Sequence, residues 1–198
     1  MFLLVRHGET DWNREGRWQG HRGRGLNERG RLQARELAAQ IDGVDAIYSS
    51  DTDRARETAE ILGAQLGLEV TMDARLREVS FGEWEGLTRG EIEDRHPGAV
   101  ARWEADERPP PAFVEPDEAM AERVLEALRA IGDEHPEGRV LVVTSGGPIR
   151  AAQAHLCGIE QTRARRLIHT VENCTLVELV VHTGTFEQRA DDRVAGPE

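Results

Sequence analysis

An imidazole and a guanidinium stand side by side near the start of the chain, in the string RHGET at residues 6–10. They follow FLLV at 2–5, an apolar run typical of a short buried strand, which would hold both side chains rigidly. A neutral imidazole is a competent nucleophile toward phosphorus, and an adjacent arginine stabilises charge on a group in transfer. His7 and Arg6 are therefore candidates for phosphoryl chemistry. A histidine that is merely hydrogen-bonded at a strand end is the alternative.

A serine, Ser145, ends a second apolar run, in the string VLVVTSGGPIR at 140–150, which is typical of a strand, a glycine turn and a helix. A serine-hydrolase elbow requires Gly-x-Ser-x-Gly, but residue 143 is valine, and a dinucleotide loop requires Gly-x-Gly-x-x-Gly. What remains is a hydroxyl beside the backbone N–H groups of a helix start, that of Gly146 included. Such an arrangement binds anions.

Buried strands and amphipathic helices alternate along the chain. The predicted strands lie at 2–5, 46–50, 68–73, 139–144 and 173–181, and the predicted helices at 32–41, 52–66, 88–106 with a break at 96–98, 117–134 and 148–157. This alternation predicts an α/β fold, a three-layer sandwich with a mostly parallel central sheet and helices on both faces. Ligands bind at the carboxyl ends of such strands, where RHGET, SSDTDRAR at 49–56 and TSGG at 144–147 lie.

The chain length of 198 residues, with 38% hydrophobic content, suffices for one substantial core, so we expect residues 1–198 to form a single domain. The proline-rich string ERPPPAFVEP at 107–116 is typical of a loop. Together with the interrupted helix before it, this loop predicts a lid or insertion at about 88–116.

The formal net charge of −12 argues against general binding to nucleic acid or to an anionic membrane. Residues 1–31 nevertheless hold seven arginines against four acidic residues. A locally basic segment in an acidic protein is what a focused anion site requires, although a solvated arginine face is the alternative.

The expected location is the cytoplasm. No run of about 18 apolar residues occurs, and the charge at position 6 comes too early for a signal peptide. Cys157 and Cys174 give neither a metal-ligand spacing nor a disulfide framework, which favours free thiols in a reducing compartment. A homodimer is compatible with the sequence.

Five separated motifs occur in an order that resembles the histidine phosphatase superfamily, also called the phosphoglycerate mutase-like family. They are LVRHGETDWN (4–13), GLNERG (25–30), SSDTDRARETAEIL (49–62), LREVSFGEWEG (76–86) and VVTSGGPIR (142–150). The resemblance covers about residues 2–181, and its order and spacing make it highly specific.

The resemblance implies a role for each matching residue. His7 corresponds to the nucleophile that forms phosphohistidine, and Arg6 and Arg54 correspond to the phosphate-clamping arginines. Asn13 corresponds to a further phosphate contact, and Glu78 to the acid that protonates the leaving oxygen and later takes a proton from water. Chemistry of this type uses arginines where other phosphatases use divalent ions, so neither a metal nor a cofactor is implied.

The pattern fails at Ser145, where the family normally carries a second histidine in a string such as THGG. The loss of one electrostatic contact in such a pocket lowers the rate by about a hundredfold to a thousandfold, so an impaired or specialised enzyme is expected. Ser145 and Gly146 remain candidates for phosphate binding, as does His21, for which a solvated loop histidine is the alternative.

The sequence favours a phosphatase that acts on a small phosphorylated metabolite. LREVSFGEWEG resembles the phosphatase branch, and the chain is shorter than the usual phosphoglycerate mutases. The alternatives are a mutase-type phosphotransferase and a degenerate member that binds or senses phosphoryl ligands without turnover.

Overall fold

A six-stranded sheet forms the centre of the computed structural model, which describes residues 1–105, 113–182 and 185–188. Its strands are β1 (Phe2–Arg6), β2 (Ala46–Ser49), β3 (Val70–Met72), β4 (Val140–Thr144), β5 (Leu176–His182) and β6 (Thr185–Gln188). The spatial order is β3-β2-β4-β1-β5-β6; the first four strands pair in parallel, and β5 and β6 add antiparallel pairs. The prediction of a mostly parallel sheet is confirmed.

Eight helices occur in the described ranges. They are α1 (Asp11–Arg14), α2 (Glu28–Ala38), α3 (Asp53–Leu66), α4 (Arg89–Arg95), α5 (Ala99–Glu104), α6 (Asp117–Glu134), α7 (Gly146–Leu156) and α8 (Gln161–Leu167), with short 3-10 turns at 74–76 and 82–84. None of them is long and apolar enough to cross a membrane.

The two faces of the sheet bury different side chains, because successive residues of a strand point to opposite faces. From β1, Phe2 and Leu4 join one hydrophobic cluster with residues of α6 and α7. Leu3 and Val5 join a second cluster with residues of α2 and α3. The fully buried β4 contributes to both clusters, which explains its continuous apolar run. Three layers result, as the sequence predicts.

Three strand ends meet at one edge of the sheet. Arg6 pairs in register with Thr144, and Ser49 pairs with Val143. Just beyond the strands, the His7 amide donates to the Thr144 carbonyl at 2.9 Å, and the Ser50 amide donates to the Val143 carbonyl at 2.9 Å. The polar clusters that the sequence places after β1, β2 and β4 are therefore neighbours.

The GLNERG motif packs directly against the RHGET turn. Asn27 caps α2, and its amide donates to the Glu9 carbonyl at 3.0 Å. A Cβ added at Gly8 would lie 2.5 Å from the Gly30 carbonyl oxygen, and a Cβ at Gly30 would overlap the Glu9 backbone. The two glycines permit this close approach, which fixes the loop after β1 against α2.

A third, smaller cluster packs around the buried Trp84 and includes Ile92 and Val100 from α4 and α5. The predicted break at 96–98 is confirmed, since Gly98 has φ 73° and separates these two helices. Residues 106–112, most of the predicted loop at 107–116, lie outside the described residues.

Three elements of the second half differ from the sequence prediction. The strand predicted at 173–181 is not the last, since β6 follows it. Strand β5 begins at Leu176 rather than 173, because Cys174 adopts φ 55°, a left-handed turn conformation that interrupts an extended chain. Helix α8 was not predicted, since QTRARRL carries few apolar residues and buries only Ala164 within its span.

Candidate active site

A cavity of about 610 Å³ opens above the three strand ends. Its lining includes five of the residues predicted for the site: Arg6, His7, Asn13, Arg54 and Glu78. Gly146 also lines it, together with Gly147. Among the described lining residues, five arginines face two glutamates, so the cavity is cationic within a protein of net charge −12. A phosphate dianion suits such a cavity electrostatically.

His7 is held in one orientation at the bottom of this cavity. It is 3% exposed, and its Nδ1 lies 2.8 Å from the Gly8 carbonyl oxygen. A carbonyl only accepts, so Nδ1 carries the proton and Nε2 carries the lone pair. Burial, together with the charges of Arg54 and Arg6, holds the pKa of His7 well below its usual value. The imidazole is therefore neutral near pH 7 and presents Nε2 as a nucleophile.

Arg54 lies beside the nucleophilic nitrogen, at the start of α3. Its Nε donates to His7 Nε2 at 3.1 Å, and its two Nη atoms donate to the carbonyls of Gly20 and Arg22 at 2.6 and 2.9 Å. Burial lowers the pKa of Arg54 to about 10, which leaves the guanidinium charged at neutral pH. This buried cation forms no ion pair with a carboxylate of the described residues. An anionic ligand would therefore stabilise it strongly.

Arg6, the last residue of β1, supplies the second guanidinium. Its Nη1 donates to the Val171 carbonyl at 2.6 Å, while its buried Nε has no hydrogen-bond partner among the described residues. Burial lowers the pKa of Arg6 as well. A buried donor without a described protein partner, on a guanidinium that lines the cavity, favours the binding of an anion there.

Asn13 belongs to the capping box of the short helix α1. Its Oδ1 accepts from the Thr10 amide at 3.1 Å, and its own amide donates to Thr10 Oγ1 at 3.1 Å. This leaves the Nδ2 group, a hydrogen-bond donor, for a ligand in the cavity that Asn13 lines.

Two residues without a sequence signal secure the nucleophile. The Asn173 side chain donates to the His7 carbonyl at 2.8 Å, and Thr58 Oγ1 accepts from the Gly8 amide at 3.0 Å. Each comes from a distant part of the chain, so no local pattern could reveal it. The left-handed turn at Cys174 sets the position of Asn173.

The Glu78 carboxylate meets the start of α7. Its Oε2 accepts from the Gly147 amide at 3.0 Å, and its Oε1 accepts from the Val79 amide at 2.8 Å. A Cβ added at Gly147 would overlap Glu78 Oε1, so only glycine permits this approach without displacing the carboxylate. The second glycine of TSGG thus positions the candidate acid.

The backbone around Glu78 is fixed by long-range hydrogen bonds. Arg123 of α6 donates to the carbonyls of Arg75, Arg77 and Glu78, at 2.7, 2.7 and 2.8 Å. His21 Nε2 donates to the same Glu78 carbonyl at 2.9 Å. His21 is therefore placed behind Glu78 and is not among the residues that line the cavity.

Ser145 is buried at the N-terminus of α7, with 1% of its surface exposed. Its Oγ makes no cap hydrogen bond and has no partner within the described parts of the chain. Unlike Gly146 and Gly147, it is absent from the cavity lining. The structure places it beside the site, and its hydroxyl makes no hydrogen bond to the other candidate residues that the structure describes.

The cavity has two differently built ends. We call Arg6, His7, Arg54 and Glu78 the inner end. The outer end comprises Trp18, Phe81, Trp103, Arg150 and Arg165, whose side chains are half-buried. There, the Trp18 ring lies 4.7 Å from Phe81 and 5.0 Å from Trp103 between centroids, and Arg165 stacks on Trp103 at 3.3 Å.

Known proteins resemble this chain along most of its length. Residues 2–191 match the model of the histidine phosphatase superfamily, branch 1. The chain is 39% identical over 165 residues to glucosyl-3-phosphoglycerate phosphatase of Mycobacterium tuberculosis, which covers 78% of this chain and 74% of that protein. It is 33% identical over 166 residues to phosphoserine phosphatase 1 of Hydrogenobacter thermophilus, with 81% and 78% covered.

The fold is shared with a solved relative over nearly the whole chain. The structure of a mycobacterial glucosyl-3-phosphoglycerate phosphatase in complex with VO3 superposes with a TM-score of 0.87 at 30% identity, covering 96% of this chain and 98% of the other. This chain belongs to the histidine phosphatase superfamily, branch 1.

Proposed function

We propose that the protein hydrolyses a phosphomonoester of a small metabolite through a phosphohistidine at His7 Nε2. The observation that carries the proposal is the state of that nitrogen: it belongs to a buried, neutral imidazole, and its lone pair accepts a hydrogen bond from Arg54. Arg6 lines the same cavity, and neither guanidinium forms an ion pair with a carboxylate of the described residues. Two guanidiniums neutralise the dianion that a phosphomonoester presents near neutral pH.

In the first step, the phosphoryl group binds between Arg6 and Arg54, and Arg54 Nε transfers its hydrogen bond from His7 to a phosphoryl oxygen. The freed Nε2 lone pair attacks phosphorus as the bond to the leaving oxygen breaks. Glu78 in its acid form gives a proton to that oxygen, so an alcohol departs and the Glu78 carboxylate remains.

In the second step, water attacks the phosphohistidine. The Glu78 carboxylate takes a proton from this water, the N–P bond breaks, and its electron pair returns to His7 Nε2. Phosphate departs and both side chains regain their starting states. The Gly147 amide, which donates to Glu78, holds the carboxylate in place for both proton transfers.

The cavity volume agrees with a small-metabolite substrate. About 610 Å³ exceeds what a phosphate group needs and lies within the usual range for small-molecule sites. The curated relatives named above are phosphatases of small phosphorylated metabolites, which supports the same class of reaction here.

The test is to incubate the protein with a ³²P-labelled phosphomonoester and to quench in detergent. A histidine N–P bond survives base and is lost in acid, whereas a serine phosphoester survives acid. We expect a base-stable, acid-labile label and release of inorganic phosphate, both lost in His7→Ala and retained in the matched variant His169→Ala. Equal phosphate release by wild type and His7→Ala would contradict the proposal.

A second candidate is a phosphoryl-ligand binding protein without turnover. The observation in its favour is Ser145, whose buried hydroxyl has no described partner where the family carries an imidazole. Tight phosphate binding without label or release would support this candidate, and an acid-stable label lost in Ser145→Ala would instead assign Ser145 as nucleophile.

A further inference from the structure

Arg150 is a cation of the outer end that lacks an acidic partner. It lies on α7, lines the cavity and is half-buried, and its Nη1 donates to Thr170 Oγ1 at 2.9 Å. It forms no ion pair with any carboxylate of the described residues. Thr170 occupies one of the five N–H donors of the guanidinium, and the other four have no hydrogen-bond partner among the described residues.

The other lining arginines beyond the inner end, Arg17 and Arg165, already form ion pairs with carboxylates. Arg17 pairs with Glu15 and Glu91, each at 2.8 Å. Arg165 pairs with Asp117 and stacks on Trp103. These pairs neutralise their charges locally, so Arg150 is the lining arginine beyond the inner end whose charge no described acid balances.

Arg150 lies close to the proposed phosphoryl site, on the helix that follows Ser145. Gly146 and Arg150 are four residues apart and share one face of α7. Thr170 covers this face, because a Cβ at Gly146 would overlap its methyl group. The Arg150–Thr170 hydrogen bond is exposed, whereas that between Arg54 and His7 is buried. Arg150 therefore lies near enough to Arg6 for their charges to interact, and it is more exposed than His7 and Arg54.

We propose that Arg150 binds a second anionic group, a carboxylate on the leaving group of the substrate, and thereby selects phosphomonoesters that carry one. The reaction at His7 is the proposed function above, on which the kinetic part of this inference rests. Arg6 and Arg54 already match the charge of the phosphoryl dianion. A carboxylate two or three carbons away would accept a bidentate contact from Arg150.

The remaining outer-end side chains do not compete for this role. Trp18, Phe81 and Trp103 form an edge-packed aromatic wall that offers apolar surface. Glu104 also lines the cavity but is paired with Arg89, and its charge would repel a carboxylate. Arg150 is thus the determinant that distinguishes an anionic leaving group from a neutral one.

The experiment compares 3-phosphoglycerate with glycerol 3-phosphate, which share a carbon skeleton and differ in a carboxylate against a hydroxymethyl group. Dissociation constants for both are measured by calorimetry on His7→Ala, which prevents turnover, and on His7→Ala with Arg150→Met. Values of kcat/KM for both are measured with His7 intact. Arg163→Met removes the same charge from an exposed position on α8 and is the matched control.

We expect Arg150→Met to lower the preference for 3-phosphoglycerate about 10- to 100-fold, in binding and in kcat/KM, as for a hydrogen-bonded ion pair. Thr170→Val, which keeps the side-chain shape, lowers it about 2- to 10-fold. Arg163→Met leaves the preference unchanged.

Equal weakening of both ligands by Arg150→Met would place Arg150 on the phosphoryl group and overturn the inference. An unchanged preference, or binding of neither ligand, would overturn it as well. Absence of turnover in every protein, with a preference in binding that falls on Arg150→Met, would support Arg150 as carboxylate ligand and overturn the proposed hydrolysis instead.

Discussion

The inner and outer ends of the cavity are held in place by different interactions. At the inner end, the candidate catalytic side chains bond mainly to backbone: His7 to the Gly8 carbonyl, Arg54 to two carbonyls, Glu78 to two amides. At the outer end, contacts between side chains predominate, as between Trp18 and Trp103 or Arg150 and Thr170, and Arg165 adds one hydrogen bond to the Trp103 carbonyl. The backbone contacts depend on strand ends and tight glycine turns, whereas the outer contacts depend on individual side chains.

This difference separates chemistry from selectivity. A substitution at the inner end disturbs groups that every phosphomonoester needs, so kcat should fall for all substrates. A substitution at the outer end changes contacts to the leaving group, so the effect should depend on the substrate. One fold can thus keep one reaction while its substrate changes.

The largest effect is expected for Gly147→Ala, which tests whether the position of the Glu78 carboxylate requires a glycine at residue 147. Gly147→Ala places a methyl group on Glu78 Oε1 and displaces the carboxylate from the Gly147 amide. Misplacing a general acid lowers the rate by about 10²- to 10⁴-fold. We expect kcat/KM for an alkyl phosphate to fall by this factor, and to fall less for p-nitrophenyl phosphate, whose leaving group needs no proton.

Gly90→Ala is the matched control for this substitution, because a Cβ at Gly90 in α4 meets open space. It should leave kcat/KM unchanged for both substrates. If Gly147→Ala retained wild-type activity toward the alkyl phosphate, Glu78 would not be the proton donor in its present position.

The inner end could be predicted from sequence to the extent that its residues sit on local patterns. His7 and Arg54 follow apolar runs that are strands in any sheet of this type, so their convergence follows from the topology. The placement of Glu78 could not be predicted physically. It lies between two 3-10 turns and is fixed by Arg123, which is 45 residues away in the chain.

Little of the outer end could be predicted from the sequence. An arginine on a helix of an arginine-rich chain carries no pattern, and the significance of Arg150 depends on which neighbours are paired with acids. Asn173 was missed for a similar reason, since a turn at Cys174 brings it to His7. The sequence does reveal the change at Ser145, but its burial and its unpartnered hydroxyl emerge from packing.

An intermediate effect is expected at Ser145, which adjoins the inner end without contributing to it. Ser145→His would add an imidazole that can donate to the phosphoryl group, and one such donor contributes about a hundredfold or more to the rate. We expect kcat/KM to rise by about a hundredfold for substrates with anionic and with neutral leaving groups alike. Steady-state kinetics on both substrate types measures this.

Ser145→Ala separates the loss of a hydroxyl from the gain of an imidazole. It removes a buried polar group that has no described partner, so folding stability should not decrease. An increase confined to one substrate type in Ser145→His would assign position 145 to selectivity and weaken the division between the two ends.

The smallest expected effect is on the free energy of unfolding, which should depend on pH because the inner end buries a neutral imidazole. Burial and two neighbouring guanidiniums hold the pKa of His7 well below the value of 6.5 that it has in the unfolded chain. Below pH 6.5 the unfolded state therefore binds a proton at His7 that the folded state does not bind, and the stability of the fold decreases as the pH falls. One unit below 6.5, this difference amounts to about 1.4 kcal/mol.

Urea unfolding at pH 7.5 and 5.5 should show wild type losing about 1.4 kcal/mol more than His7→Gln. Parallel losses in the two proteins would mean that His7 binds a proton in the folded state as readily as in the unfolded chain, and that the inner end does not hold its imidazole neutral below pH 6.5.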